Sequence, residues 1–159
     1  MLRTIVGQQV SVAAANAIWG RLEAALGTGC PPDVLLGADA ETLRGHGLSR
    51  QKAAYAHSLA ELVTSGALDF GALPADDEEA IALLTRAKGI GRWSAEIYLL
   101  FAEGRPDIWP AGDQAVRRLL DLDERPKEKA TRALAEAWSP HRGAAAIFAW
   151  HYYMDDGPV

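Results

Sequence analysis

The stretch Lys88-Gly-Ile-Gly-Arg-Trp-Ser-Ala95 decides the fold of this chain, because it joins two apolar segments through a turn with two glycines. Residues 80–87 precede the turn, and the nearly all-apolar residues 93–102 follow it. The pattern predicts two helices in a Gly-x-Gly hairpin that covers residues 80–103. Glycine at both positions permits left-handed backbone angles and the close approach of a phosphate. The second helix, which starts near Arg92, is therefore predicted to direct free N–H groups at an anion, unless the glycines form only a tight turn.

The composition favours one helical domain with a sizeable core. The chain has 159 residues, 49% of them apolar, and is rich in alanine and leucine. These values predict an all-α fold and a single domain over residues 1–159. Cys30 is the only cysteine, which excludes an internal disulfide and any four-cysteine iron–sulfur cluster or zinc finger. The sequence has no long apolar run and no secretory leader, and so predicts a soluble, cytoplasmic protein.

The N-terminal region predicts one amphipathic helix from Leu2 to Leu26. Apolar side chains recur there at every fourth position, Val6 and Val10 among them. Gln8 and Gln9 interrupt the apolar face with side chains that could hydrogen-bond to bases or simply face solvent. The helix begins without a capping residue, so we expect that residues upstream of it are missing.

The charge pattern leaves a nucleic-acid partner open despite a net charge of −5. Residues 86–142 carry 11 Lys/Arg and 9 Asp/Glu, whereas the remaining chain is acidic. Ser49 predicts the start of a further helix, with Arg50 and Lys52 in its first turn. The helix dipole disfavours cations at that end, so these two side chains either serve a phosphate partner or lie on the surface by accident.

The region from residue 93 onwards predicts the second hairpin helix, three more helices and no strand. Residues 93–103 are apolar nearly all round, which is typical of a helix buried in the middle of a bundle. A loop over residues 107–112 leads to Asp113 at the start of the next helix. Pro126 opens another helix that reaches about Trp138, and residues 141–154 form the last one.

Taken together, these motifs resemble the helix-hairpin-helix DNA glycosylases, and within them the 3-methyladenine DNA glycosylase II group. The hairpin and the later Trp109-Pro-Ala-Gly-Asp113 form a specific combination. The supporting matches are Ile5-Val-Gly-Gln-Gln-Val-Ser11, Gly47-Leu-Ser-Arg-Gln-Lys52, and Arg142 with Trp150. The resemblance covers essentially the whole chain and implies a helical bundle of the glycosylase type.

The resemblance implies that the hairpin holds the DNA backbone through the N–H groups around Gly89 and Gly91. It also implies a monovalent cation, Na⁺ or K⁺, between the carbonyls of these glycines and a phosphate, and no other cofactor. The implied partner is double-stranded DNA with alkylated bases, bound by a monomer, with the target nucleotide flipped out of the duplex. The expected DNA-binding residues are Gln8, Gln9, Lys52, Lys88, Gly89, Gly91, Arg92 and Ser94.

Asp113 is the expected catalytic residue. Cleavage of an N-glycosidic bond develops positive charge on the sugar, and a nearby carboxylate stabilises that charge or orients a water. An alkylated purine is already cationic and leaves with little acid assistance, so one carboxylate is enough. The simpler interpretation is that Asp113 only caps its helix.

Four aromatic residues are candidates for the base pocket. Trp93 and Trp150 match positions at which the family lines this pocket, and their electron-rich faces would attract a cationic base. Trp109 and Tyr98 are further candidates, although either could belong to the core. A pocket tyrosine of the family falls on Ile97 here, so the resemblance does not define the range of bases.

The hairpin stretch, residues 88–95, also bears on the mechanism. Family members that also cleave the strand have a lysine two residues after the second hairpin glycine, where this chain has Trp93. The resemblance therefore implies a monofunctional enzyme that leaves an abasic site. Two alternatives stay open: a noncatalytic helix-hairpin-helix DNA-binding module, and an all-α interaction domain in which the hairpin is only a turn.

Overall fold

The computed structural model describes residues 1–119 and 128–155, and all their side chains except those of residues 118–119 and 153–155. The described residues form helices and loops without a β-strand, which confirms the all-α prediction. The α-helices are α1 (Leu2–Gly7), α2 (Val12–Leu26), α3 (Pro32–Gly37), α4 (Ala40–Gly45), α5 (Arg50–Thr64), α6 (Asp77–Leu84), α7 (Arg92–Phe101), α8 (Gln114–Leu119), α9 (Glu128–Ala135) and α10 (Arg142–Asp155). A 3-10 turn, Glu136–Trp138, follows α9. Pro126, predicted to open this region, lies outside the described residues.

The chain divides into two compact units, Met1–Gly91 and Arg92–Val159. The first contains α1 to α6 and the second begins with α7. The boundary falls inside the predicted hairpin, so a single domain over residues 1–159 remains a prediction. In the part of the chain that the structure describes, the helices are too short or too polar to cross a membrane.

The N-terminal region contains two helices, so the prediction of one helix from Leu2 to Leu26 is wrong. The helical row breaks at Gln9, whose φ of 55° is left-handed, and Val10 is 39% exposed. Ser11 then caps α2, because its hydroxyl accepts a hydrogen bond from the Ala14 N–H at 3.2 Å. A serine that offers this local bond competes with helix continuation, and the apolar spacing did not reveal that competition.

Helix α7 is buried on one face only, so the prediction that it is buried all round is also wrong. Ala95 and Leu99 are fully buried in the core of the second unit. Trp93, however, is 42% exposed and Phe101 49%. These positions lie two turns apart, on the same side of the helix. The open side of α7 is therefore aromatic.

An ion pair holds the start of α10 to the loop that follows α7. Arg142 donates from Nε to Asp107 Oδ1 and from Nη2 to Asp107 Oδ2, both at 2.8 Å. The backbone N–H of Arg142 donates to Oδ1 at 3.1 Å, and the Ser139 hydroxyl donates to Oδ2 at 2.9 Å. These hydrogen bonds, with that from the Arg142 guanidinium foremost, lower the pKa of Asp107 from 3.8 to about 2.

We expect Asp107→Asn to lower the free energy of unfolding by about 1–2 kcal/mol at neutral pH. A depressed carboxyl pKa stabilises the fold above its unfolded value of 3.8, and this contribution is lost as the pH falls towards about 2. Urea denaturation of both proteins across that window should show the difference shrinking; a difference that stays constant would contradict this account. Glu41→Gln is the control, because the Glu41–Arg44 pair is exposed, and it should change stability by less than about 0.5 kcal/mol.

Candidate active site

The carboxylate of Asp113 precedes α8 and accepts hydrogen bonds from three donors among the described residues. Oδ1 accepts from the Ala115 N–H at 2.8 Å and from Trp150 Nε1 at 2.9 Å, and Oδ2 accepts from Trp93 Nε1 at 3.0 Å. The residue is 9% exposed. The bond from Ala115 is a helix cap, as the simpler interpretation predicts. The two indole bonds go beyond capping, because they fix the plane of the carboxylate.

This arrangement suits a group that stabilises positive charge. All three neighbours donate hydrogen, so both carboxylate oxygens act as acceptors. The side chain is largely removed from water, where an electrostatic interaction is stronger than in bulk solvent. Asp113 also lies beside Trp93, whose ring is partly exposed. The structure therefore joins three predicted residues, Asp113, Trp93 and Trp150, in one cluster within the second unit.

Phe101 extends the aromatic surface next to Trp150, and sequence reasoning missed it. The two rings stack with centroids 4.9 Å apart and an interplanar angle of 27°. Together with Ile147 and His151 they line an open cavity of about 170 Å³. The signal available in the sequence was the position of Phe101 two helical turns after Trp93, which predicts the same helix face.

Trp109 lies in the core and not on the exposed aromatic surface. Only 2% of the residue is exposed, and its ring packs against Trp138 with centroids 5.4 Å apart. Within the described residues, Trp109 Nε1 has no hydrogen-bond partner. Trp109 thus packs the turn that leads to Asp113, and the structure does not present it as a pocket wall.

Two more predicted residues are buried or half-buried. Ser94 is 6% exposed, so its hydroxyl is not displayed for a phosphate. Tyr98 is half-buried and its hydroxyl donates to Glu103 Oε1 at 3.4 Å. Burial, together with the Glu103 carboxylate, raises the pKa of Tyr98.

Glu96 is a buried carboxylate that the sequence analysis did not identify. It is 2% exposed, and its Oε1 accepts from Arg92 Nε at 2.9 Å and from Arg132 Nη2 at 2.6 Å. Burial raises the pKa of Glu96, and the two guanidinium groups act against that shift. Arg92, predicted to contact DNA, therefore gives at least one of its N–H groups to the protein itself.

The hairpin turn in the first unit is held by Gln8, directly after α1, and by Ser58 of α5. The Gln8 amide donates from Nε2 to the Gly89 carbonyl at 2.9 Å, and the Lys88 N–H donates to Ser58 Oγ at 3.3 Å. Gly89 has a φ of +82°, and a Cβ there would lie 2.1 Å from the Tyr55 ring. The fold itself therefore requires glycine at position 89.

Gly91 differs from Gly89, although the sequence predicts the same freedom for both. Its φ is not left-handed, and an added Cβ would meet no described atom within 4 Å. The prediction of left-handed geometry therefore holds at Gly89 alone. Packing does not explain the second glycine, which lies exposed directly before α7.

The remaining predicted DNA-binding residues separate into exposed and engaged side chains. Lys88 and Gln9 are exposed. Lys52, in contrast, is half-buried and donates from Nζ to the Val6 carbonyl at 2.8 Å, which stabilises the end of α1. Burial lowers the pKa of Lys52. Its unusual place near a helix N-terminus is thus explained by this carbonyl without a phosphate.

Comparison with known proteins confirms the resemblance drawn from the sequence. The family described as HhH-GPD superfamily base excision DNA repair protein matches residues 2–140. DNA-3-methyladenine glycosylase 1 of Schizosaccharomyces pombe is 34% identical, over 94% of this chain and 69% of that protein. The crystal structure of a DNA-3-methyladenine glycosidase from Bacillus halodurans is 35% identical, with a TM-score of 0.85 over 94% of this chain and 72% of that one.

A structure of the S. pombe 3-methyladenine DNA glycosylase in complex with abasic DNA is similar as well. It has a TM-score of 0.82 at 34% identity, over 96% of this chain and 78% of that one. The chain spans between 55% and 75% of the length of the curated relatives it matches.

We expect Gly89→Ala to lower the free energy of unfolding by about 2–4 kcal/mol, because it adds both a left-handed strain and a clash with Tyr55. Gly91→Ala should cost less than about 1 kcal/mol, since its Cβ enters open space. Urea denaturation of the two variants and the parent measures both losses of unfolding free energy. Equal losses at the two positions would show that the described turn is wrong.

Proposed function

Since the chain belongs to the HhH-GPD superfamily of base excision DNA repair proteins, we propose that it is a DNA glycosylase that releases alkylated purines such as 3-methyladenine. The observation that carries the proposal is the Asp113 carboxylate, held by the indoles of Trp93 and Trp150. The names of its relatives support the same substrate class. Because all three residues come from one chain, a monomer supplies this cluster.

The substrate is a nucleotide flipped out of double-stranded DNA. The glycosidic carbon cannot be reached inside the base stack, so an enzyme of this kind must extrude the nucleotide. A damaged base that pairs poorly leaves the stack at lower cost, which contributes to selectivity. The exposed side chain of Gln9, on its left-handed backbone, is suited to contact DNA from the first unit.

Asp113 stabilises the sugar as the glycosidic bond breaks. Positive charge develops on the sugar ring while electrons of the bond pass to the departing base. The carboxylate is held in a fixed plane by its three donors, so it need not reorganise when this charge appears. Water then adds to the sugar carbon, and one proton is released to solvent. The products are a free base and an abasic site.

The aromatic surface recognises the base through its charge. Alkylation makes a purine cationic, and a cation over an indole face is stabilised by about 0.5–2 kcal/mol. The exposed ring of Trp93 and the stacked pair of Phe101 and Trp150 offer such faces. A neutral base gains less from the same surface, which gives a physical basis for the preference.

We propose that the enzyme has no strand-cleaving activity. A lyase of this family needs a lysine amine to form a Schiff base with the sugar. Trp93 stands at that position and donates its indole N–H to Asp113 instead. The same residue that orients the carboxylate therefore replaces the lyase nucleophile.

The hairpin contributes contacts to the DNA backbone. The exposed Lys88 supplies positive charge, and Gly91 leaves room for a phosphate to approach the backbone. The Gly89 carbonyl accepts the Gln8 amide hydrogen, and its second lone pair would be the one to hold a monovalent cation. No step of the mechanism depends on this cation.

We expect Asp113→Asn to reduce the release of methylated purines by about 100-fold or more, because the charge that stabilises the transition state is lost. Its affinity for DNA should stay within a few-fold of the parent, since no DNA-binding cation is removed. Base release from alkylated duplex DNA and binding to an abasic duplex measure the two effects.

This comparison also separates the enzyme from a noncatalytic helix-hairpin-helix DNA-binding module. If the parent binds duplex DNA but releases no more base than Asp113→Asn, the module is correct and the glycosylase proposal fails. Absence of DNA binding even at low salt would leave only an all-α interaction domain.

We expect Gly91→Ala to weaken DNA binding about tenfold, because a Cβ keeps the phosphate away from the backbone N–H groups. Gly20→Ala is the matched control: Gly20 is an exposed glycine in α2, and a Cβ there also meets no described atom within 4 Å. Fluorescence anisotropy with a labelled duplex should show the loss in Gly91→Ala alone. Equal affinities in both variants would exclude close approach at position 91.

A further inference from the structure

The Arg132 side chain connects the turn before Asp113 to the buried carboxylate of Glu96. Its Nη1 donates to the Trp109 carbonyl at 3.1 Å, and its Nη2 donates to Glu96 Oε1 at 2.6 Å. The side chain of Glu96 is 2% exposed and that of Arg132 29%. One planar guanidinium therefore bridges two acceptors that lie on separate segments of the second unit.

The Trp109 carbonyl is one polar attachment point of this turn. It accepts from the Ala111 N–H at 2.8 Å as well as from Arg132, and the next bond along the turn runs from the Asp113 N–H to the Pro110 carbonyl at 2.8 Å. The Trp109 indole has no hydrogen-bond partner within the described residues, so its ring contributes packing alone. The carbonyl is thus held from two sides, four residues before Asp113.

Glu96 provides the other half of the connection. It lies on α7 one turn after Trp93, and it also accepts from Arg92 at the start of that helix. Arg132 thus joins the helix that carries Trp93 to the turn that carries Asp113. The hydrogen bond from Trp93 Nε1 to Asp113 Oδ2, 3.0 Å long, joins the same two segments.

We propose that Arg132, held in place by Glu96, is a positioning residue for the reaction: it fixes the Trp109 carbonyl and thereby the Asp113 carboxylate against the Trp93 indole. The inference rests on the proposed glycosylase function. A guanidinium is suited to this task, because its rigid fork presents two N–H groups to two acceptors at once. A lysine ammonium also donates hydrogen bonds, but it is a compact charge without this rigid planar fork.

The kinetic test uses Arg132→Met and Arg132→Lys on methylated duplex DNA. Under single turnover with saturating protein, both should release base about 10- to 100-fold more slowly, because a small displacement of a catalytic group is costly. Their affinity for an abasic duplex should stay within about twofold of the parent. Arg44→Met is the control for loss of one cation, since Arg44 is paired with Glu41 on the exposed surface of the first unit.

The lysine variant separates the effect of geometry from that of charge. The Glu96 variants test whether Glu96 holds Arg132 in place. Arg132→Lys keeps the charge, so recovery of the parental rate in this variant would overturn the proposal. Glu96→Gln keeps an acceptor oxygen and should retain more of the rate than Glu96→Ala. Thermal denaturation identifies a temperature at which every variant is folded, and all rates are compared there.

A readout without catalysis distinguishes this inference from the glycosylase proposal. The indole N–H resonances of Trp93 and Trp150, assigned through their Phe variants, report the hydrogen bonds to Asp113. In Arg132→Met the Trp93 resonance should move towards its position in Asp113→Ala. If it moves while the parent releases no base, the positioning role stands and the glycosylase function falls; if it does not move, the positioning role is wrong.

Discussion

Two indole N–H groups on one carboxylate are the constraint on which the second unit depends. Trp93 lies on α7, Trp150 lies on α10, and Asp113 precedes α8, so three helices must meet within hydrogen-bond distance. Hydrogen bonds weaken steeply once distance and angle depart from their ideal values, which leaves a tolerance of a few tenths of an ångström. Apolar packing is non-directional and does not by itself impose such a tolerance on the ends of three helices. Directional polar contacts are needed at the loops between them.

Two arginines supply those directional contacts. Arg142, at the start of α10, binds Asp107 in the loop after α7. Arg132 binds the turn before Asp113. Arg132 is itself bound to the buried Glu96. Burial disfavours the charged form of Glu96, because it raises the pKa of this carboxyl despite two neighbouring guanidinium groups. An apolar pair of similar size is often as stable as a buried ion pair. The placement of Glu96 is therefore better explained by geometry than by stability.

The sequence could predict residues whose role follows from local pattern or from family resemblance. The resemblance pointed to Asp113, Trp93 and Trp150, and the structure joins them in one cluster. The sequence could not predict that Trp109 packs in the core, because a tryptophan in a loop has the same local pattern whether it lines a pocket or fills a core. Lys52 illustrates the same limit: its partner, the Val6 carbonyl, is distant in sequence, and only folding brings the two together.

The two hairpin glycines show how structure separates requirements that sequence presents as one. At Gly89 the backbone is left-handed and the Tyr55 ring fills the space of a side chain, so the fold accounts for glycine completely. At Gly91 neither condition holds, and alanine there would cost the fold little. Nothing in the described residues therefore requires glycine at position 91. Under the proposed function, a phosphate that approaches the backbone at the start of α7 would require glycine there, because a Cβ would stand in its path.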